Sequence, residues 1–214
     1  MAYTGTSPYL TAAQAQGKNT NAIMADWVDR GPYIWWDTFR VAAGVTVQSS
    51  YSMFSIPIGQ LDPLSPSGTA TKTKLETNMQ QGNSFPPPKC LLIEQIGFIP
   101  SGDMLPSDWI ALVKNCYIEF RIDDKIFHEG HLDYFPAGAG IMGVSTQTGF
   151  ATITNGFPTP VASRRYGPWA KYIAPLQRFS LSILFPETTP TISALGPGLN
   201  VRIVLDGLTD RSVQ

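Results

Sequence analysis

Alternation of apolar and polar residues is the feature that most limits how this chain can fold. The segments 116–122 (CYIEFRI), 179–185 (FSLSILF) and 200–205 (NVRIVL) place an apolar residue at every second position. Successive side chains of a β-strand point to opposite faces of a sheet, so this spacing predicts strands with one buried face.

The other predicted elements complete an all-β fold. Asp123-Asp124 predicts the turn of a hairpin, and Asp206-Gly207 predicts a tight turn before the last strand. A short helix is predicted from Pro106 to Asn115, capped by Ser107. Further strands are predicted at 43–58 (with a β-bulge near Ser52), 90–99, 125–129 and 208–213. About eight strands, one short helix and long loops are typical of a β-sandwich or barrel.

The length of 214 residues suits one all-β domain. Residues 1–25 are polar and are predicted to form an N-terminal arm that orders against a neighbour, with a disordered tail as the alternative, and residues 26–214 are predicted to form a single domain. Long loops are predicted at 59–89, which is rich in proline, and at 137–160. Loops of this length are often functional or bound by a partner. The first residues resemble no signal peptide and no apolar run is long enough to span a membrane, so a cytosolic origin is expected.

Charge is scarce in this chain. Charged residues make up 14% of it, against about 25% in an ordinary soluble domain. Charge is depleted in the cores of protein interfaces, so the composition predicts that other subunits cover much of the surface. The net charge of −1 gives no field that would attract nucleic acid or an anionic membrane, and no specific nucleic-acid partner is expected.

His128, His131 and Asp133 are the candidate metal ligands. The two histidines are three residues apart in a segment predicted to be a strand, which points them to opposite faces, so surface or interface histidines are the preferred interpretation. The metal-binding cupins have a third histidine where this chain has Ile141. No motif for a catalytic nucleophile, a nucleotide or another cofactor is present, so we expect neither an enzyme nor a small-molecule substrate. Two cysteines, Cys90 and Cys116, are predicted to be buried free thiols.

Two groups of side chains are candidates for contact with partners. The segment 27–41 is rich in aromatic residues, which predicts a core, although Trp35 and Trp36 could also serve an interface or a ligand platform. Arg164, Arg165 and Trp169 form a basic and aromatic cluster. Such a cluster suits nucleic acid, but a subunit contact or a solvated loop is the preferred interpretation.

The order of elements resembles the jelly-roll structural proteins of icosahedral bacterial viruses. The resemblance lies in residues 90–141, where a strand, a short helix, the strand CYIEFRI, its hairpin return and a Pro-Ala-Gly loop follow one another, and in the closing segments FSLSILFPE and VRIVLDGLTDR. It implies a single jelly roll of two four-stranded sheets that assembles itself into a capsid and resides in the virion. The implied partners are copies of the chain, other virion proteins and an internal membrane or genome.

Two alternative functions remain open. A decoration, spike or tail-associated protein of a virion would form a small oligomer and need a preformed shell. A carbohydrate-binding sandwich would stack sugar rings on exposed Trp35, Trp36 or Trp169.

Overall fold

The computed structural model describes residues 28–65, 70–132, 135, 142–147, 150–154, 166 and 170–212. The elements in chain order are β1 (Val28–Val41), β2 (Ser50–Met53), β3 (Leu91–Pro100), α1 (Pro106–Asn115), β4 (Tyr117–Ile122), β5 (Lys125–His131), β6 (Met142–Gln147), β7 (Phe150–Thr154), β8 (Lys171–Ile173), β9 (Phe179–Leu184) and β10 (Leu199–Ser212). Residues 1–25, the predicted arm, lie outside this description.

Eight strands form two antiparallel four-stranded sheets. The first sheet has the order β1-β10-β3-β8, and the second has the order β2-β9-β4-β5. Strands β6 and β7 form a separate hairpin. The predicted all-β class is therefore confirmed.

The pairing describes one long ribbon wrapped around a core. Strand β4 pairs with β5, β3 with β8, β2 with β9 and β1 with β10. In this order, the pairs belong alternately to the second and the first sheet. Within the first sheet β10 also pairs with β3, and within the second sheet β9 also pairs with β4. A ribbon wrapped in this way is a jelly roll, so the predicted jelly-roll β-sandwich is confirmed.

Aromatic rings fill the space between the sheets. Trp35 of β1 lies 4.6 Å from Phe85, between ring centroids, and Phe85 lies 4.9 Å from Phe179 of β9. Phe85 belongs to the predicted long loop, so part of that loop is core. Burying a side chain of this size contributes about 1.5–3 kcal/mol.

The prediction of a tight turn at Asp206-Gly207 is wrong. Strand β10 continues through these residues, and a β-bulge between them shifts its register against β3. A Cβ atom on Gly207 would overlap the carbonyl oxygen of Leu92. The glycine therefore permits a close backbone approach in a strand, which is the other common use of this residue type.

Other predicted boundaries also need correction. The strand predicted at 43–58 is limited to β2, because Phe54 takes a left-handed conformation with φ of 61°, and no bulge occurs near Ser52. The aromatic segment is strand β1, the loop predicted at 137–160 contains hairpin β6–β7, and β8 was not predicted.

Helix α1 lies at its predicted position, but its cap differs. Leu105 is the N-cap residue and offers no side-chain hydrogen bond, so Ser107 is not the cap. Asp108 is buried, and its carboxylate accepts a hydrogen bond from the backbone N–H of Ser193 at 3.1 Å. Trp109 and Leu112 of the same helix are buried.

Candidate subunit interface

The outward side of the first sheet carries apolar side chains. Trp35 and Phe39 of β1 are fully buried between the sheets. Alternation along the strand therefore turns Ile34 and Trp36 outward. Trp35 is thus a core residue of its own subunit, whereas Trp36 is half-buried on the outside.

Strand register gathers more apolar residues around Trp36. Val204 of β10 pairs with Trp36, and Ile99 of β3 pairs with the neighbouring Arg202. Ile34 and Ile99 are each 46% exposed, and Val204 is half-buried. These four residues (Ile34, Trp36, Ile99 and Val204) are called the outer apolar face below. Arg202 and Asp206, which pair with Ile99 and Ile34, border this face. Exposed apolar groups clustered within a polar rim are typical of an interaction site.

Polar groups lie within and beside this face. The indole Nε1 of Trp36 is buried and has no hydrogen-bond partner among the described residues. The guanidinium of Arg202 lies 3.5 Å from the carbonyl oxygen of Leu75, whose side chain is 79% exposed beside the face. A buried donor without an acceptor costs about 1–3 kcal/mol, so a partner that supplies an acceptor would gain affinity.

The outward side of the second sheet is mostly polar. Ser52, Ser182, Glu119 and Glu129 form one row across its four strands. Arg121 donates two hydrogen bonds to Glu119, at 2.6 and 3.1 Å, and this contact lowers the pKa of the Glu119 carboxyl. The two sheets therefore differ in the character of their outer surfaces, and the first is the candidate interface.

A buried ion pair fixes the long loop beside the first sheet. The ammonium of Lys72 lies 2.5 Å from Asp37 of β1, and both side chains are buried. The Asp37 carboxylate also accepts hydrogen bonds from the backbone N–H groups of Phe54 and Thr38, at 2.7 and 2.9 Å. Burial raises the pKa of Asp37, although Lys72 and the two amides act in the opposite direction.

The two histidines do not meet. His128 pairs with Phe120, whose side chain is buried, and its ring lies 4.8 Å from that of Phe135. His131 is exposed and pairs with Tyr117. The predicted opposite orientation of the two residues agrees with this register, and Asp133 lies outside the described residues.

The basic cluster is only partly described. Arg164, Arg165 and Trp169 lie outside the described residues. Tyr166 of the same segment donates its backbone N–H to the carbonyl oxygen of Glu94 at 2.8 Å, and its ring lies 5.3 Å from that of His128. Across the described part of the chain, no group of three or more His, Cys, Asp or Glu residues is placed to hold a metal ion.

Both cysteines are buried free thiols, as predicted. Burial raises the pKa of the Cys116 thiol to about 12. A thiol in this environment is inert, because the thiolate is the reactive form.

A cleft of about 550 Å³ opens where β5 and β8 end their sheets. Acidic and basic residues alternate around it, namely Asp123, Asp124, Lys125 and Lys171. Gln177 donates a hydrogen bond to Asp123 at 2.6 Å. The two signs of charge balance, so the cleft selects for neither anions nor cations.

No family model, curated protein or solved structure matches this chain. The helix of the described residues is too short and too polar to cross a membrane.

Sequence reasoning missed most of the outer apolar face. The adjacent tryptophans of β1 carried the available signal, because two consecutive residues of a strand must point to opposite sides. Ile99 and Val204 carried no such signal, since only the register of three strands brings them together.

Proposed function

We propose that this chain is a non-catalytic, self-associating structural subunit of a virus particle, the capsid subunit of a shell. The observation that carries the proposal is a jelly roll whose first sheet exposes the outer apolar face, whereas the central row on the outside of the second sheet is polar. An isolated soluble protein has little reason to keep Ile34 and Ile99 exposed beside a half-buried tryptophan.

The composition supports the same proposal. A charged content of 14% leaves few repulsive groups between neighbouring copies. The partners are then copies of the chain and other virion proteins, and the chain resides in the virion. With a net charge of −1, any contact with a genome or an internal membrane would depend on local groups.

The test is the mass of the purified chain in solution, measured by light scattering over a range of concentrations. We expect large particles or discrete symmetric oligomers. The double variant Ile34→Glu/Ile99→Glu should shift the population toward the 23.4 kDa monomer, because it places charges in the outer apolar face.

The matched control is Ile110→Glu/Ile126→Glu. These isoleucines are 44% and 46% exposed, close to the 46% of Ile34 and Ile99, but they lie on α1 and β5. The control should associate like the native chain. A native chain that stays monomeric at high concentration would contradict the proposal.

Two other outcomes identify the alternatives. Small oligomers that bind only to preformed shells, seen by electron microscopy, would indicate a decoration, spike or tail-associated protein. A monomer whose tryptophan fluorescence is quenched by glycans would indicate a carbohydrate-binding module, for which Trp36 is the described tryptophan on the outside.

A further inference from the structure

Strand β1 is an edge of the first sheet. It is 14 residues long, and β10 pairs with it on one side only. A long edge strand presents N–H and C=O groups that can pair with a strand of another chain. Natural proteins cover or interrupt such edges to prevent open-ended association.

The side chain of Asn78 occupies this edge as a strand would. Its Oδ1 accepts a hydrogen bond from the backbone N–H of Trp36, and its Nδ2 donates one to the carbonyl oxygen of Ile34, both at 2.8 Å. A carboxamide carries the same donor and acceptor as a peptide group. One side chain therefore replaces the peptide group of a neighbouring strand.

Adjacent groups extend the cover. The carbonyl oxygen of Trp36 accepts hydrogen bonds from the hydroxyl of Thr77 at 3.1 Å and from the N–H of Asn78 at 3.3 Å. The hydroxyl of Thr38 donates to the carbonyl oxygen of Glu76 at 2.7 Å. Pro32, four residues before Trp36 on the same side of β1, has no N–H to offer an incoming strand.

Buried residues hold the cover at both ends. Lys72 is tied to Asp37 by the ion pair described above, and Met79 is fully buried. Between them, Glu76 forms an ion pair with Arg40 of β1. The segment is therefore fixed along the strand by polar contacts and anchored by burial.

We propose that residues 72–79 form an edge cover that prevents a second copy of the chain from adding a strand to β1. The side chain of Asn78 makes the principal hydrogen bonds of this cover. The cover closes the β1 edge to strand addition and leaves the outer apolar face of the same sheet available. The inference does not depend on the proposed function, because an isolated chain suffices to test it.

The test is Asn78→Leu, which keeps the approximate volume of the side chain and removes both hydrogen bonds. Hydrogen exchange of the Trp36 amide should accelerate about 10- to 100-fold, as expected for the loss of two hydrogen bonds at a local site. Light scattering should show association that increases with concentration. The variant is made in the Ile99→Glu background, because Ile99 lies on the inner strand β3, so this charge weakens association through the outer apolar face and leaves the β1 edge uncharged.

The control is Asn115→Leu. Asn115 also donates a side-chain hydrogen bond, at 2.7 Å, but to Ala111 within α1. It should leave both the Trp36 exchange rate and the mass unchanged. Asn78→Asp can accept from Trp36 but cannot donate to Ile34, so it should have an intermediate effect and serves if the leucine variant does not fold.

Unchanged protection of the Trp36 amide in the Asn78 variants would overturn the inference. Fast exchange without any association would overturn it as well, because an uncovered β1 edge would then not bind a second copy of the chain. Neither result would bear on whether the native chain forms shells, which the variants of the outer apolar face test.

Discussion

At the scale of single residues, two neighbouring tryptophans have opposite environments. Trp35 packs against Phe85 in the core, while Trp36 contributes its ring to the outer apolar face and its backbone to the edge beneath Asn78. Asp37 follows them and is buried with Lys72. Three consecutive residues of β1 thus serve the core, the surface and the attachment of the loop.

The buried ion pair leads to a prediction about stability. Lys72→Met leaves the Asp37 carboxyl buried without its partner, and removing one partner of such a pair costs about 3–5 kcal/mol. Urea unfolding should show this loss, and Lys74→Met should change little because Lys74 is exposed. The double variant Asp37→Leu/Lys72→Met should recover most of the stability, since no lone charge remains.

The same variant should respond to pH in a defined direction. Burial already raises the pKa of Asp37, and Lys72 is the largest influence that lowers it. Without Lys72, the pKa in the folded chain rises further above the unfolded value, so the folded state binds more protons than the unfolded state. Relative to the native chain, the stability deficit of Lys72→Met should therefore grow as the pH rises from the folded-state pKa of Asp37 in the native chain toward the higher folded-state pKa in the variant. A deficit that is independent of pH would contradict this assignment.

At the scale of elements, Gly207 tests the bulge that keeps β10 continuous. Gly207→Ala places a Cβ against the carbonyl oxygen of Leu92 and should destabilise the chain by about 1–3 kcal/mol or more. Gly97→Ala is the matched control in the same sheet, because its Cβ would lie 4.0 Å from the nearest side-chain atom, in Gln95. Equal losses in urea unfolding for the two variants would show that the bulge does not require glycine.

The sequence predicted the elements whose signal is local. Strands β4 and β9 alternate strictly, and helix α1 begins at a proline, so all three lie where the pattern places them. An Asp-Gly pair is found both in turns and in bulges, so its local sequence predicts either. The close approach of Leu92, on a strand distant in the sequence, makes it a bulge here. The Asn78 cover and the Asp37–Lys72 pair join residues more than 30 positions apart, so no local pattern could have indicated them.

At the scale of the whole molecule, the surfaces differ in what they allow. The β1 edge is covered by Asn78 and Thr77, the outside of the second sheet is mostly polar, and the outer apolar face remains exposed. Adding strands at an edge has no natural end, so the cover on β1 removes one route to open-ended association. One strand, β1, takes part in both surfaces, because its backbone forms the covered edge and two of its side chains belong to the outer apolar face.

The charge of the molecule leads to a last prediction, about salt. The four residues of the outer apolar face are uncharged, although Arg202 and Asp206 border them, and the net charge of the chain is only −1, so apolar burial should drive association. Raising NaCl from ~0.1 M to ~1 M shortens the Debye length from about 10 Å to about 3 Å. We expect the association constant, measured by light scattering or sedimentation, to change by less than about threefold, because screening has little to act on. A weakening of tenfold or more would mean that charged groups such as Arg202 hold the copies together, and the outer apolar face would then not be the main contact.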